Sequence, residues 1–115
     1  MLLADGVTSP DSIILRGSGM PSASVCIYLQ GDALADDVFG DGVLCTGGSL
    51  IRLRLKANVA GASEFPQPGD PSVSSRGQVA PGSGARRYYQ TYYRNPAAFC
   101  TPATFNVTNG VLIDW

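Results

Sequence analysis

The stretch GDGVLCTGGSLIRLRLKA, residues 40–57, decides the fold class. In its second half Ile51, Leu53 and Leu55 alternate with Arg52, Arg54 and Lys56. Successive side chains of a strand point to opposite faces. This period of two therefore predicts an antiparallel strand with one buried face. The first half predicts a second strand, with Gly47-Gly48 as a hairpin turn between the two. The cationic stripe Arg52, Arg54, Lys56 reads as a solvated sheet face whose long stems cover apolar surface and discourage edge-to-edge pairing. A site for a polyanion or an acidic glycan is the alternative.

The same period recurs on both sides. Towards the start, SVCIYLQ (24–30) sets Val25, Ile27 and Leu29 against Cys26, Tyr28 and Gln30, and SIILR (12–16) reads as a further short strand. Towards the end, residues 58–71 carry three prolines and two glycines and are expected to form a long loop. SVSSRGQV (72–79) reads as a weak edge strand, APGSG (80–84) as a turn, and NPAAF (95–99) as a connection. Between the last two lies RRYYQTYYRN (86–95), with four tyrosines and three arginines. Alternation places Arg87, Tyr89, Thr91 and Tyr93 on one face, and Arg86, Tyr88, Gln90, Tyr92 and Arg94 on the other. TFNVTNGVLIDW (104–115) places Asn109-Gly110 between two alternating runs, the pattern of a type I′ hairpin. Phe105, Val107, Leu112 and Asp114 would then share one face, and Asn106, Thr108, Val111, Ile113 and Trp115 the other.

No segment sustains a helical period, and the chain holds 14 glycines and 8 prolines. About eight short strands in an antiparallel β-sandwich, jelly-roll or Greek-key, is the expected all-β fold. The 115 residues are one domain's worth, with residues 1–11 as an N-terminal arm.

Composition narrows function. The chain has no histidine, so no Ser–His or Cys–His pair can form within it, and the usual metal ligand is missing. Eight basic and nine acidic residues give a net charge of −1, which offers no field to attract nucleic acid. No apolar run approaches the roughly 20 residues of a membrane span. MLLADG lacks the basic n-region and apolar core of a signal peptide, so either export depends on residues outside this sequence or the protein is cytoplasmic.

FGDGVLCTGGSLIRL (39–53), GDPSVSSRGQV (69–79) and RYYQTYYRNPAAFCTPATFNVTNG (87–110), with SGMPSASVCIYLQGD (18–32) upstream, resemble a module found at the C-terminal end of many predicted secreted proteins of environmental bacteria. The resemblance runs over residues 12 to 115 and carries no motif for a particular chemistry. It implies export and an extracellular or cell-surface setting. Three cysteines allow three single bridges. Cys45 ends a strand beside a turn, Cys100 follows the tyrosine strand, and the resemblance places both in its core motifs. A Cys45–Cys100 bridge is therefore the favoured expectation, worth about 4 kcal/mol on chain-entropy grounds, with Cys26 left as a thiol. Three buried, reduced thiols are the alternative.

Each candidate site has a plainer counterpart. Tyr88 and Tyr92, with Arg86 and Arg94, could contact a glycan or another subunit, or could simply express the strand preference of tyrosine. GDALADDVFGDG (31–42) gathers Asp32, Asp36, Asp37 and Asp41 in a loop that could hold Ca²⁺, although the spacing is not that of an EF-hand. Paired carboxylates for glycoside hydrolysis find only one glutamate, Glu64. Asn106-Val107-Thr108 is a glycosylation sequon set in a strand. Leu2, Leu3 and Val7 are too apolar for a solvated tail. They belong either to an edge strand of the same sandwich or to an arm that adds as a strand to a neighbouring copy. The expected function is a non-enzymatic extracellular structural module, without cofactor or metal, that assembles with copies of itself into filaments or a surface layer. A carbohydrate-binding or adhesive module is the alternative.

Overall fold

A computed structural model describes residues 1–22, 24–39, 42–94 and 105–115. These hold ten strands: β1 (Leu2–Asp5), β2 (Ile14–Gly17), β3 (Val25–Gly31), β4 (Ala33–Phe39), β5 (Gly42–Gly47), β6 (Ile51–Ala57), β7 (Ser63–Phe65), β8 (Arg86–Arg94), β9 (Phe105–Val107) and β10 (Val111–Asp114). The one helix among them is α1 (Val73–Gly77). The fold is all-β, as the alternation predicts, and every strand pair is antiparallel. A small sheet runs β1-β2-β7. A larger one runs β10-β8-β3-β6, with β9 also on β8.

The two sheets face each other across one core. Leu2, Leu15 and Phe65 enter from the small sheet, and Cys26, Tyr28, Tyr89 and Ile113 from the large one; Leu2, Leu15, Phe65, Tyr28 and Tyr89 are fully buried. The rings of Tyr28 and Phe65 meet at 6.1 Å between centroids. Two tyrosines in the core need partners for their hydroxyls. Tyr28 OH lies 2.8 Å from Ser63 Oγ, which also meets the Cys26 thiol at 3.1 Å. Tyr89 OH donates to Gln30 Oε1 at 2.8 Å and accepts from the Trp115 indole N–H at 2.8 Å, while Gln30 Nε2 donates to the Gly77 carbonyl at 2.9 Å. This chain of bonds ties β8, β3, α1 and the residue after β10 into one buried unit. A Cβ on Gly77 would lie 2.1 Å from Gln30 Oε1, so α1 docks only with glycine there.

Several expectations are corrected. Gly47-Gly48 does not turn a hairpin between β5 and β6. Instead β3-β4 and β5-β6 form one long ribbon from Val25↔Ala57 to Phe39↔Gly42, bent near its middle. At the bend Gly31 and Gly47 pass backbone to backbone, with a Gly31 Cβ only 2.5 Å from the Gly47 carbonyl oxygen. Gly48 takes a φ of +70°, and Asp32 Oδ1 accepts the Ser49 N–H at 2.9 Å. The glycines serve the bend. Accordingly residues 33–39, expected within an acidic loop, form β4 with Asp36 and Asp37 in it, and a bulge between Leu34 and Asp37 hides this strand from a simple alternation count.

Asn109-Gly110 turns no hairpin either. β9 and β10 both pair with β8, at Tyr92↔Val107 and Tyr89↔Val111, and so form one strand with an extra residue at 108–110. Neither Asn109 nor Gly110 has positive φ. The Asn109 side chain instead accepts the Leu2 N–H at 2.8 Å and donates to the Leu2 carbonyl at 3.0 Å, in place of a neighbouring strand. The bulge and the expected hairpin shift parity alike, so the predicted division of side chains between faces survives.

Where residues 72–79 were expected to form an edge strand, Val73–Gly77 form α1. Ser72 caps it by accepting the Ser75 N–H at 3.2 Å, Asp11 takes the Ser74 N–H at 2.9 Å, and Val73 is buried. The Arg76 guanidinium then donates to the carbonyls of Leu53 (3.1 Å) and Arg52 (3.0 Å), which covers the edge of β6. Residues 63–65, inside the expected loop, pair with β2. The N-terminal residues are the edge strand of their own sandwich: β1 pairs with β2, Leu2 is buried, and Leu3 and Val7 are exposed.

Replacing Asn109 with glycine tests the clasp. A turn residue would tolerate the change. Here it leaves the Leu2 N–H and carbonyl unpaired, at about 1–3 kcal/mol. Denaturant unfolding of N109G is expected to show that loss, and amide exchange of residues 2–5 is expected to quicken. A midpoint equal to the parent's would contradict the clasp.

Candidate functional site

The bent ribbon creates the site. Its distal part, β4-β5, folds back as a strap over the outer face of the large sheet. The docking point is Gln90, on the outer side of β8 yet fully buried. Gln90 Oε1 accepts the Cys45 N–H at 2.8 Å, and Nε2 donates to the Thr108 carbonyl at 2.6 Å. A Cβ on Gly110 would sit 3.0 Å from Cys45 Cβ, so the glycine of the bulge makes room for the strap.

The strap separates the two outer tyrosines. Tyr88 lies in a groove of about 330 Å³ with Leu34, Cys45, Arg86, Val111 and Leu112. Tyr92 lies in a second groove of about 330 Å³ with Ile27, Leu29, Leu44, Leu50 and Arg52. The four residues predicted to act together are therefore divided. Arg86 pairs with Asp114 at 2.8 Å beside Tyr88, while Arg94 lies beyond Tyr92 at the far end of β8. The apolar walls were missed in the sequence because Leu34 and Leu44 come from strands broken by a bulge and a turn.

The cationic stripe is split as well. β6 carries an extra residue, Leu53, opposite the Tyr28/Leu29 step. After the bulge Arg54 and Lys56 pair with Tyr28 and Cys26 and so take the inner side. Lys56 Nζ meets Asp70 Oδ2 at 2.5 Å and Arg54 meets Oδ1 at 3.4 Å, and these contacts hold the Asp70 carboxyl below the usual range, the Lys56 hydrogen bond foremost. Before the bulge Arg52 pairs with Leu29 on the outer side. Leu53 fills the core, but Leu55, expected inside, is exposed.

The other candidates scatter. Asp32 is bound to the Ser49 amide, Asp41 lies outside the described residues, and among the described residues no three His, Cys, Asp or Glu side chains stand together as a metal set. Glu64 pairs with Arg16 on the outer side of the small sheet. Asn106 pairs with Tyr93 in β9, partly buried. Cys45 lines the Tyr88 groove, and its expected partner Cys100 lies outside the described residues. Cys26 is buried, and burial raises its pKa, so it is a poor nucleophile. A third groove, of about 470 Å³, lies beside β7 between Leu3, Arg16, Val59 and Gln67. No described helix is long and apolar enough to cross a membrane. Compared with protein-family models, curated proteins and solved structures, the chain matches none.

The core tyrosines set an alkaline limit. Burial pushes the Tyr28 phenol up to about 12 and raises that of Tyr89 as well. The unfolded chain titrates near 10. Stability from keeping these phenols neutral is thus complete below about pH 10 and lost as pH rises towards the folded values. A Tyr28→Phe variant is expected to lose stability at pH 7, through the Ser63 contact, yet decline less between about pH 10 and 12. Parallel declines for both proteins would exclude the buried phenol as the cause.

Proposed function

We propose that the protein is a non-enzymatic structural module that associates with copies of itself through the outer face of its larger sheet. The observation that carries this is the apolar exposure on that face. Val25, Leu50, Leu55 and Leu112 are each 43–58% exposed and Leu34 is 71% exposed, around the partly covered Tyr88 and Tyr92. Exposed apolar side chains set among tyrosines and arginines have the composition of an association surface. Face-to-face contact also suits the closed N-terminal strand. Donating β1 to a neighbour would extract Leu2 from the core and break its two bonds to Asn109. Assembly into filaments or a surface layer extends this reading, and the extracellular setting rests on the resemblance alone.

One feature favours a second reading, carbohydrate binding. Tyr88 presents its ring beside the Arg86–Asp114 ion pair in one groove. A sugar ring needs such a pairing, an aromatic surface for its C–H face and charged groups for its hydroxyls.

Sedimentation velocity over a wide concentration range separates the two. Self-association predicts larger species with rising concentration, and their loss in a Leu34→Asp/Leu112→Asp/Leu55→Asp variant that keeps the parental circular dichroism. A wild-type protein that stays a single small species throughout would end this reading. A glycan array would then decide the second one: retention abolished by Tyr88→Ala supports it, and no retention by the intact protein removes it.

A further inference from the structure

Arg52 has a position that self-association does not require. Of the three cations in its strand, Lys56 and Arg54 both contact Asp70, and the bulge at Leu53 turns the third to the opposite side. There it borders a groove whose other walls are Ile27, Leu29, Leu44, Leu50 and Tyr92. No carboxylate among the described residues pairs with it, and unlike Arg76, whose guanidinium is spent on the carbonyls of Leu53 and Arg52, it borders a groove. Its backbone is held, because the Arg52 carbonyl accepts from Arg76 at 3.0 Å. Bulges often re-aim a side chain towards a site. Here the bulge places a guanidinium, paired with no described carboxylate, at a groove otherwise lined by aliphatic side chains and one tyrosine.

We propose that this groove binds an amphiphilic carboxylate, with the apolar chain under the strap between Leu44 and Leu29 and the head group on Arg52. One cation cannot hold a polyanion, which needs several in register. A single carboxylate matches one guanidinium fork, by paired N–H donors. The groove, of about 330 Å³, is at the small end of ligand sites, which suits a single chain of medium length. The Tyr88 groove has similar size, but its arginine is paired with Asp114, so it offers no free charge for a head group.

The test is isothermal titration calorimetry with sodium decanoate below its micellar range, at protein concentrations where sedimentation shows the smallest species. The expected result is saturable binding of one decanoate per chain. Arg52→Gln, which removes the charge but keeps a polar side chain and leaves the backbone contacts alone, is expected to weaken it roughly tenfold or more without changing the melting temperature. Decanol, which lacks the charge, is expected to bind wild type and Arg52→Gln equally. Leu112→Ser, in the other groove, is expected to have no effect. Equal decanoate affinity in wild type and Arg52→Gln would overturn the proposal, as would the absence of saturable binding. A loss in Leu112→Ser alone would place any site at Tyr88 and overturn it too.

Discussion

The Gln90 side chain is the constraint from which the outer face takes its form. A primary amide on the exposed side of a sheet would normally point into water. Here it is fully buried, because the strap lies on it and satisfies its oxygen through the Cys45 amide while its nitrogen bonds the Thr108 carbonyl. Burying an amide without partners costs several kcal/mol, of the order of 2–7. Gln90 therefore specifies where the strap rests, and on which side of β8 the β9–β10 bulge lies. The two grooves, the separation of Tyr88 from Tyr92 and the approach of Gly110 to Cys45 follow from that one docking point.

Below the sheet, a second set of buried polar groups fixes the sandwich. Trp115, Tyr89, Gln30 and the Gly77 carbonyl form a chain in which each member finds its partner on a different element. Apolar packing alone could let the short helix and the C-terminus slide over the large sheet. The hydrogen bonds allow one arrangement, because every displacement leaves a buried donor or acceptor unmet. Gly77 belongs to this logic: its missing side chain is the space that the Gln30 amide occupies.

Much of the fold is legible in the sequence, and the exceptions share a cause. Period-two alternation marks β3, β6 and β8, a short apolar run marks β2, and alternation divides the tyrosine strand correctly: Tyr89 and Thr91 are buried inside, Tyr88 and Tyr92 lie outside. Alternation fails at bulges, which shift parity by one, and the bulges in β4, in β6 and at Thr108–Gly110 hid a strand, the true face of Arg52 and the course of β9–β10. Glycine motifs were read as hairpins because that is their commonest use. Gly47-Gly48 and Asn109-Gly110 serve a bend, a close approach and a side-chain clasp, all of which depend on residues distant in sequence. The grooves were the least legible part, since their walls come from β3, β5, β6, β8 and β10 and only the folded strap brings them together. The cap at Ser72 was visible in principle: Pro71-Ser72 ahead of Ser75 and Arg76 is a helix start, but five residues give too little periodicity to outweigh a strand.

Amide hydrogen exchange of Cys45, followed by NMR, reads out whether the strap is docked on Gln90 in the folded protein. The Cys45 amide is expected to be protected well beyond an exposed strand edge, with that protection lost in Gln90→Ala while the amides of β3 and β8 keep theirs. A Cys45 amide that exchanges at the rate of an open chain in the wild-type protein would rule out the docking, and with it the division of the outer face into two grooves.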